Sequence, residues 1–208
     1  MIVIIDYGSG NLRSAQKAFE KVAGEQVEVT NNPKQLAKAS HIVLPGVGAF
    51  GDCAAGLRSI DGMVAAMEEE VLAKKKPFLG ICVGMQLLAE VGLEHGEHKG
   101  LGWIPGKVVK LQPKNNLPVP HMGWNDVNFI QNKPLINGIG SEFYFVHSYY
   151  FDCPQEFVVA TVNYGGAATA IVAKDNILGV QFHPEKSQNN GLKLIENFIQ
   201  NGRAGTRV

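Results

Sequence analysis

Cys82 stands between two glycines in Gly80–Ile81–Cys82–Val83–Gly84, a spacing that can present a nucleophile. An apolar run precedes it and a helix-like run follows. That is the setting of a sharp strand-to-helix turn that pushes a side chain out of a sheet. Glycines are needed there because the turn crowds its neighbours and strains the nucleophile's own φ and ψ. The turn also puts Cys82 at a helix N-terminus, where the dipole and unpaired N–H groups favour a thiolate, and it aims the Val83 N–H at an oxyanion. The same five residues equally describe a buried thiol, since free cysteine is among the most buried residue types. Taken alone, the pattern leaves both readings open.

A thiolate needs a proton acceptor, and the sequence offers His41, His95, His98, His121, His147 and His183. His183 follows an apolar stretch in Gln181–Phe182–His183–Pro184–Glu185. Positions i and i+2 of an extended segment face the same way, so Glu185 can hold one nitrogen of the imidazole while the other faces a thiol. An isolated His-Pro-Glu reads as an exposed loop; beside Cys82 it becomes a base and its orienting acid. A third segment, Leu44–Asp52 (LPGVGAFGD), closes a strand with glycines and bare backbone N–H groups. It can supply a second oxyanion donor at Val47 or Gly48, or serve as a plain connecting turn. A fourth, Asp6–Ser14 (DYGSGNLRS), resembles a dinucleotide fingerprint, but Arg13 occupies the place of its third glycine. Asn11 there reads as a helix cap.

The elements that must position these groups alternate in the first half. Strands are predicted at Ile2–Ile5, Gln26–Val29, His41–Leu44 (ended by Pro45) and Pro77–Ile81. Helices are predicted at Leu12–Val22, in a short segment opened by Pro33 that contains Leu36, at Met63–Leu72 and from Gly84 to about Glu90. Such alternation argues for a mostly parallel sheet flanked by helices. After Gly100 the pattern turns to strands joined by loops, at Val108–Leu111, Val127–Ile130, Phe143–Phe151 and Phe157–Asn163. A hairpin follows, Ala170–Ala173 with Ile177–Phe182, and a closing helix runs from Gly191 to Asn201. The fold class is α/β, one domain over residues 1–208 with an antiparallel-rich second half.

Composition excludes several partners. The 19 basic and 19 acidic residues cancel and no basic tract stands out, which argues against nucleic acid or an anionic membrane. No apolar run approaches a membrane span, and Met1–Ile5 is too short for a signal peptide. The three cysteines, Cys53, Cys82 and Cys153, are scattered and odd in number, so neither a disulfide framework nor a metal site is indicated. Cys53 and Cys153 read as buried or incidental thiols, and the cytoplasm as the compartment.

Together, LGICVGMQLL, LPGVGAFGD and GVQFHPEKS resemble, in order and spacing, the class I (triad) glutamine amidotransferases. Within that family the chain is similar to the glutaminase subunits of imidazole glycerol phosphate synthases, on DYGSGNLRS, PGVG, PHMGWN (Pro120–Asn125) and FYFVHSYY (Phe143–Tyr150). The resemblance spans nearly the whole chain apart from Lys110–Val119 and the tail beyond Arg203. It implies that Cys82 attacks the carboxamide of L-glutamine, that Val83 and Val47 or Gly48 stabilise the oxyanion, and that His183, oriented by Glu185, moves the proton. It implies substrate contacts at Gly46, Gln86, Glu94, His147, Ser148 and Tyr149. It further implies a (β/α)8-barrel cyclase partner in histidine biosynthesis that receives the ammonia. The interface would lie near Asn11, Trp124, Tyr144 and Lys186, and neither cofactor nor metal is expected. By residue type alone, Trp124 reads as a core aromatic and Lys186 as a solvated charge.

A flexible Pro45–Gly48 segment implies a control: its N–H can stay turned away until the partner is liganded. Three alternatives stand beside this reading. They are the glutaminase of pyridoxal phosphate synthase, a silent binding subunit on the same fold, and a thiol hydrolase acting on another substrate.

Overall fold

The computed structural model describes residues 1–203, so the last five positions of the domain expected over 1–208 lie outside the described residues. In chain order the first half runs β1 (Ile2–Ile5), α1 (Leu12–Ala23), β2 (Val27–Thr30), α2 (Pro33–Leu36), β3 (His41–Gly46), α3 (Phe50–Ser59) and α4 (Met63–Met67). A π-helical turn (Glu68–Ala73) continues α4 into β4 (Phe78–Cys82) and α5 (Val83–Gln86). The second half holds β5 (Val91–Gly92), β6 (His98–Lys99), β7 (Lys107–Lys110), β8 (His121–Phe129), β9 (Glu142–His147), β10 (Tyr149–Asp152), β11 (Val158–Asn163), β12 (Ala167–Lys174), β13 (Ile177–Val180) and α6 (Gln188–Arg203).

Nine strands form one sheet in the order β2-β1-β3-β4-β13-β12-β11-β8-β9. The neighbours from β2 to β13 are parallel and those from β13 to β9 antiparallel. Every residue of β1, β3, β4 and β13 is buried, which is why these strands read as continuous apolar runs rather than alternations. Helix α1 packs on α6, and α4 on α2 and α3. The register sets Gly46 of β3 beside Cys82 of β4, and Ile81 beside Val180 of β13. Three adjacent parallel strands thus deliver their carboxyl ends to one place, where ligands bind in open α/β sheets.

Several predicted elements are corrected. Strand β3 runs through Pro45 to Gly46 instead of ending at the proline. Helix α3 was not anticipated: no side chain of its own N-terminus caps it, and the cap comes from Glu94, far along the chain. Helix α5 is a single turn ending at Gln86. The predicted strand Phe143–Phe151 is two strands in different sheets, because β10 joins a second, four-stranded sheet of order β10-β7-β5-β6.

Candidate active site

The turn after β4 has the strained geometry its glycines permit. Cys82 adopts φ 55° and ψ −112°, in the left-handed region that side chains rarely enter. A methyl group on Gly84 would overlap the carbonyl oxygen of Leu44, and one on Gly80 would lie 2.5 Å from the carbonyl oxygen of Gly84. Both positions therefore exclude any larger residue. Cys82 is buried, and as the first residue of α5, Val83 has an N–H with no acceptor inside the helix.

His183 and Glu185 come from the turn that follows β13. His183 Nδ1 lies 2.9 Å from Glu185 Oε1, and both side chains are almost fully buried. Since the carboxylate accepts, Nδ1 carries the proton. The other nitrogen, Nε2, is buried without a hydrogen-bond partner, in a residue that lines the same cleft as Cys82. Burial disfavours the imidazolium, but the interactions with Cys82 and with the Glu185 carboxylate outweigh it, pushing the histidine up to about 10. The turn is clamped by β9: the His183 N–H donates to the Tyr144 carbonyl at 2.9 Å, and the Tyr144 N–H donates to Ser187 Oγ at 3.0 Å.

The glycine-rich segment behaves differently from its sequence expectation. Val47 and Gly48 border the cleft beside Cys82, yet the Val47 N–H donates to Ser9 Oγ at 3.2 Å. The same hydroxyl donates back to the Val47 carbonyl, which also receives the Cys53 thiol at 3.4 Å. Val47 therefore does not present its N–H as an oxyanion donor in this conformation. Gly46 lies in β3, opposite Cys82 in register, with its α-carbon backed by the Tyr7 hydroxyl rather than in the cleft wall. Cys53 is buried and Cys153 half-buried; burial pushes both thiols up, Cys153 to about 12.

The cleft has a volume of about 270 Å³ and brings together Cys82, Val83, Gln86, Glu94, His147, Ser148, Tyr149 and His183, with Pro120 and Val146 added. Glu94 Oε2 accepts the Phe50 N–H at 2.7 Å and so caps α3. Gln86 Nε2 donates to the Tyr149 carbonyl at 3.0 Å and to Gln181 Oε1 at 3.1 Å, and Gln181 Nε2 lies 3.8 Å from Cys82 Sγ. His147 Nδ1 also reaches the Tyr149 carbonyl, at 2.9 Å. A carbonyl only accepts, so that nitrogen is protonated and Nε2 accepts from His121 Nδ1 at 3.0 Å. Asn125 Nδ2 then serves His121 Nε2 at 3.1 Å. Burial holds both histidines neutral, down at about 4.

Sequence reasoning missed Gln181, His121 and Ser9. The i, i+2 argument that linked His183 to Glu185, run backwards, would have placed Gln181 on the same side.

Three of the four residues expected near an interface meet. Trp124 and Tyr144 are opposite each other on β8 and β9, with rings 6.0 Å apart, and Lys186 Nζ lies 5.8 Å from the Tyr144 ring. Trp124 is 43% exposed, beside Met122 at 62%, so the core-aromatic reading fails. Asn11 precedes α1, but its side chain makes no capping bond. Among the described residues no three or more His, Cys, Asp or Glu side chains could hold a metal ion, and no helix is long and apolar enough to cross a membrane.

The model of the family "Glutamine amidotransferase class-I" matches residues 3–201. The chain is 51% identical over 202 residues to "Imidazole glycerol phosphate synthase subunit HisH 1" of Campylobacter jejuni (strain RM1221), covering 96% of this chain and 100% of that protein. It is 50% identical over 212 residues to "Imidazole glycerol phosphate synthase subunit HisH" of Mesorhizobium japonicum, covering 96% and 98%. Among solved structures, "Crystal structure of glutamine amidotransferase" superposes with a TM-score of 0.75 at 19% identity, covering 98% of this chain and 100% of that one. "Structure of PurLQS from Thermotoga maritima" does so at 0.72 and 20%, covering 96% and 97%. At those identities the likeness is one of fold.

Proposed function

Because the chain belongs to the class I glutamine amidotransferase family, we propose that it hydrolyses L-glutamine to L-glutamate and ammonia as the glutaminase subunit of an imidazole glycerol phosphate synthase. The observation that carries the chemistry is the orientation of His183. Glu185 fixes Nδ1 at 2.9 Å, and the remaining nitrogen is left to a cysteine held on a strained turn.

Cys82 loses its proton to His183 Nε2 and its sulfur attacks the carboxamide carbon of glutamine. Negative charge collects on the former carbonyl oxygen, where the Val83 N–H stabilises it. His183 then hands its proton to the departing nitrogen, ammonia leaves, and a γ-glutamyl thioester stays on Cys82. Water attacks the thioester with His183 as base, which releases glutamate and restores the thiol. Gln86 and Glu94 hold the amino-acid end of the substrate, and the backbone at His147–Tyr149 forms the opposite wall.

Ammonia passes to a (β/α)8-barrel cyclase partner docked on the face that carries Trp124, Tyr144 and Lys186. There it enters imidazole glycerol phosphate, with release of an aminoimidazole carboxamide ribotide, in the histidine pathway of the cytoplasm. The half-identical relatives named as subunits of that synthase support this partner over the pyridoxal phosphate synthase alternative. Residues 1–208 act as one amidotransferase domain, without metal or cofactor.

The test is glutamate formation by the purified chain with and without a cyclase subunit and its ligand, repeated with Cys82→Ala. Stimulation by the cyclase and complete loss in the variant are expected. Activity surviving Cys82→Ala would remove the nucleophile, and silence in the presence of liganded cyclase would favour a non-catalytic subunit.

A further inference from the structure

Gln181 is fully buried, although an apolar residue of its volume would fill the same space without an amide to satisfy. Its main chain is fixed by the N–H donating to the Ala170 carbonyl at 2.8 Å. Its side chain is fixed by a series of bonds whose polarity begins at a group with one role. The Tyr149 carbonyl can only accept, so the Gln86 atom 3.0 Å away is the amide nitrogen. That nitrogen lies 3.1 Å from Gln181, which must therefore turn its oxygen towards it. The other end of the Gln181 amide is then the nitrogen, and it faces Cys82 Sγ at 3.8 Å. His147 takes up the second lone pair of the Tyr149 carbonyl, so nothing in the series is free to reverse.

From this geometry we infer that Gln181 holds the Cys82 sulfur in its deprotonated form, as an amide donor complementary to His183. The inference rests on the reading of Cys82 as the nucleophile. Gln181 donates a hydrogen bond and transfers no proton: the thiol proton goes to His183 Nε2, and the Gln181 N–H stays with the sulfur left behind. A hydrogen bond to a charged acceptor is roughly twice as strong as one to a neutral acceptor, so the contact favours the thiolate over the thiol. Gln86 then has two tasks, recognition of substrate and alignment of the amide that faces the nucleophile.

The experiment is alkylation of the full chain by iodoacetamide as a function of pH, read by mass spectrometry on the peptide that contains Cys82. Gln181→Leu keeps the volume and removes the donor. Its alkylation profile is expected to move to higher pH by about one unit, roughly a tenfold loss of thiolate at a fixed pH. Gln86→Met leaves Gln181 in place but unaligned, and a smaller shift in the same direction is expected; it also serves if Gln181→Leu does not fold. A purely structural role for Gln181 would lower the melting temperature and leave the profile where it was. Profiles that superpose on the wild type in whichever variants fold overturn the inference. The assay needs neither glutamine nor partner. A shifted profile in a chain that makes no glutamate with liganded cyclase would sink the glutaminase reading alone, and an unshifted profile in an active chain would sink this inference alone.

Discussion

The backbone N–H of Val47 is bound by the side-chain hydroxyl of Ser9, 3.2 Å away, although Val47 lines the same cleft as Cys82. Under the proposed mechanism a second oxyanion donor at Val47 would be worth about 10²–10³ in rate, and that N–H is held by one side chain. Ser9→Ala removes that acceptor and the return bond to the Val47 carbonyl. Releasing about 1 kcal/mol should raise glutamate formation by the isolated chain roughly fivefold. The rate with liganded cyclase should stay unchanged, as measured by a coupled glutamate assay.

The His183–Glu185 pair gives a pH signature. Burial works against the charged ring, but Cys82 and Glu185 raise it from 6.5 to about 10, so the folded chain binds this proton more tightly than the unfolded one. The stability it adds is complete below pH 6.5 and is lost as pH rises through about 10. Glu185→Gln keeps the shape and removes the charge. Melting temperature followed across alkaline pH should then fall earlier, and turnover should drop roughly 10²-fold.

The His121–His147 pair titrates with the opposite sign. Burial holds both near 4 against an ordinary 6.5, so the unfolded chain binds more protons in between. Their contribution is present above pH 6.5 and lost as pH falls through about 4. His121→Phe keeps a ring stacked on Tyr164 and Phe145 and deletes one titrating site. The slope of melting temperature against pH on the acid side should become shallower.

Gly84→Ala should be among the most damaging small changes. Its added methyl meets the main-chain oxygen of Leu44, which β3 cannot move without breaking its register with β4. A loss of about 3 kcal/mol or more in urea unfolding is expected, with glutamine hydrolysis abolished.

Trp124→Ala tests the docking face. The indole is exposed and stands against Tyr144, so the fold should tolerate its loss. If it anchors the partner, removal costs about 2 kcal/mol, or roughly 30-fold in the dissociation constant for the cyclase subunit. Calorimetric titration reads this directly.

What the sequence disclosed follows from how local each cause is. Strand β1 was readable to its ends because four apolar residues buried on both faces leave no ambiguity. The strained turn at Cys82 and the His183–Glu185 contact were readable because glycine spacing and the His-Pro-Glu alternation are local constraints. Helix α3 was hidden because its cap, Glu94, lies forty-four positions away from Phe50. Ser9 escaped for the same reason, since its bond to Val47 spans thirty-eight positions. The split of Phe143–Phe151 into β9 and β10 also has a tertiary cause, because β7 draws Tyr149–Asp152 into another sheet.

The clamp of β9 on the catalytic turn has a mechanical meaning. Tyr144 grips the turn at both ends, accepting from His183 and donating to Ser187, while its half-buried ring stands beside Trp124. Tyr144 therefore joins the aromatic pair to the turn that carries His183, so strand β9 is a strut between the two rather than a passive edge.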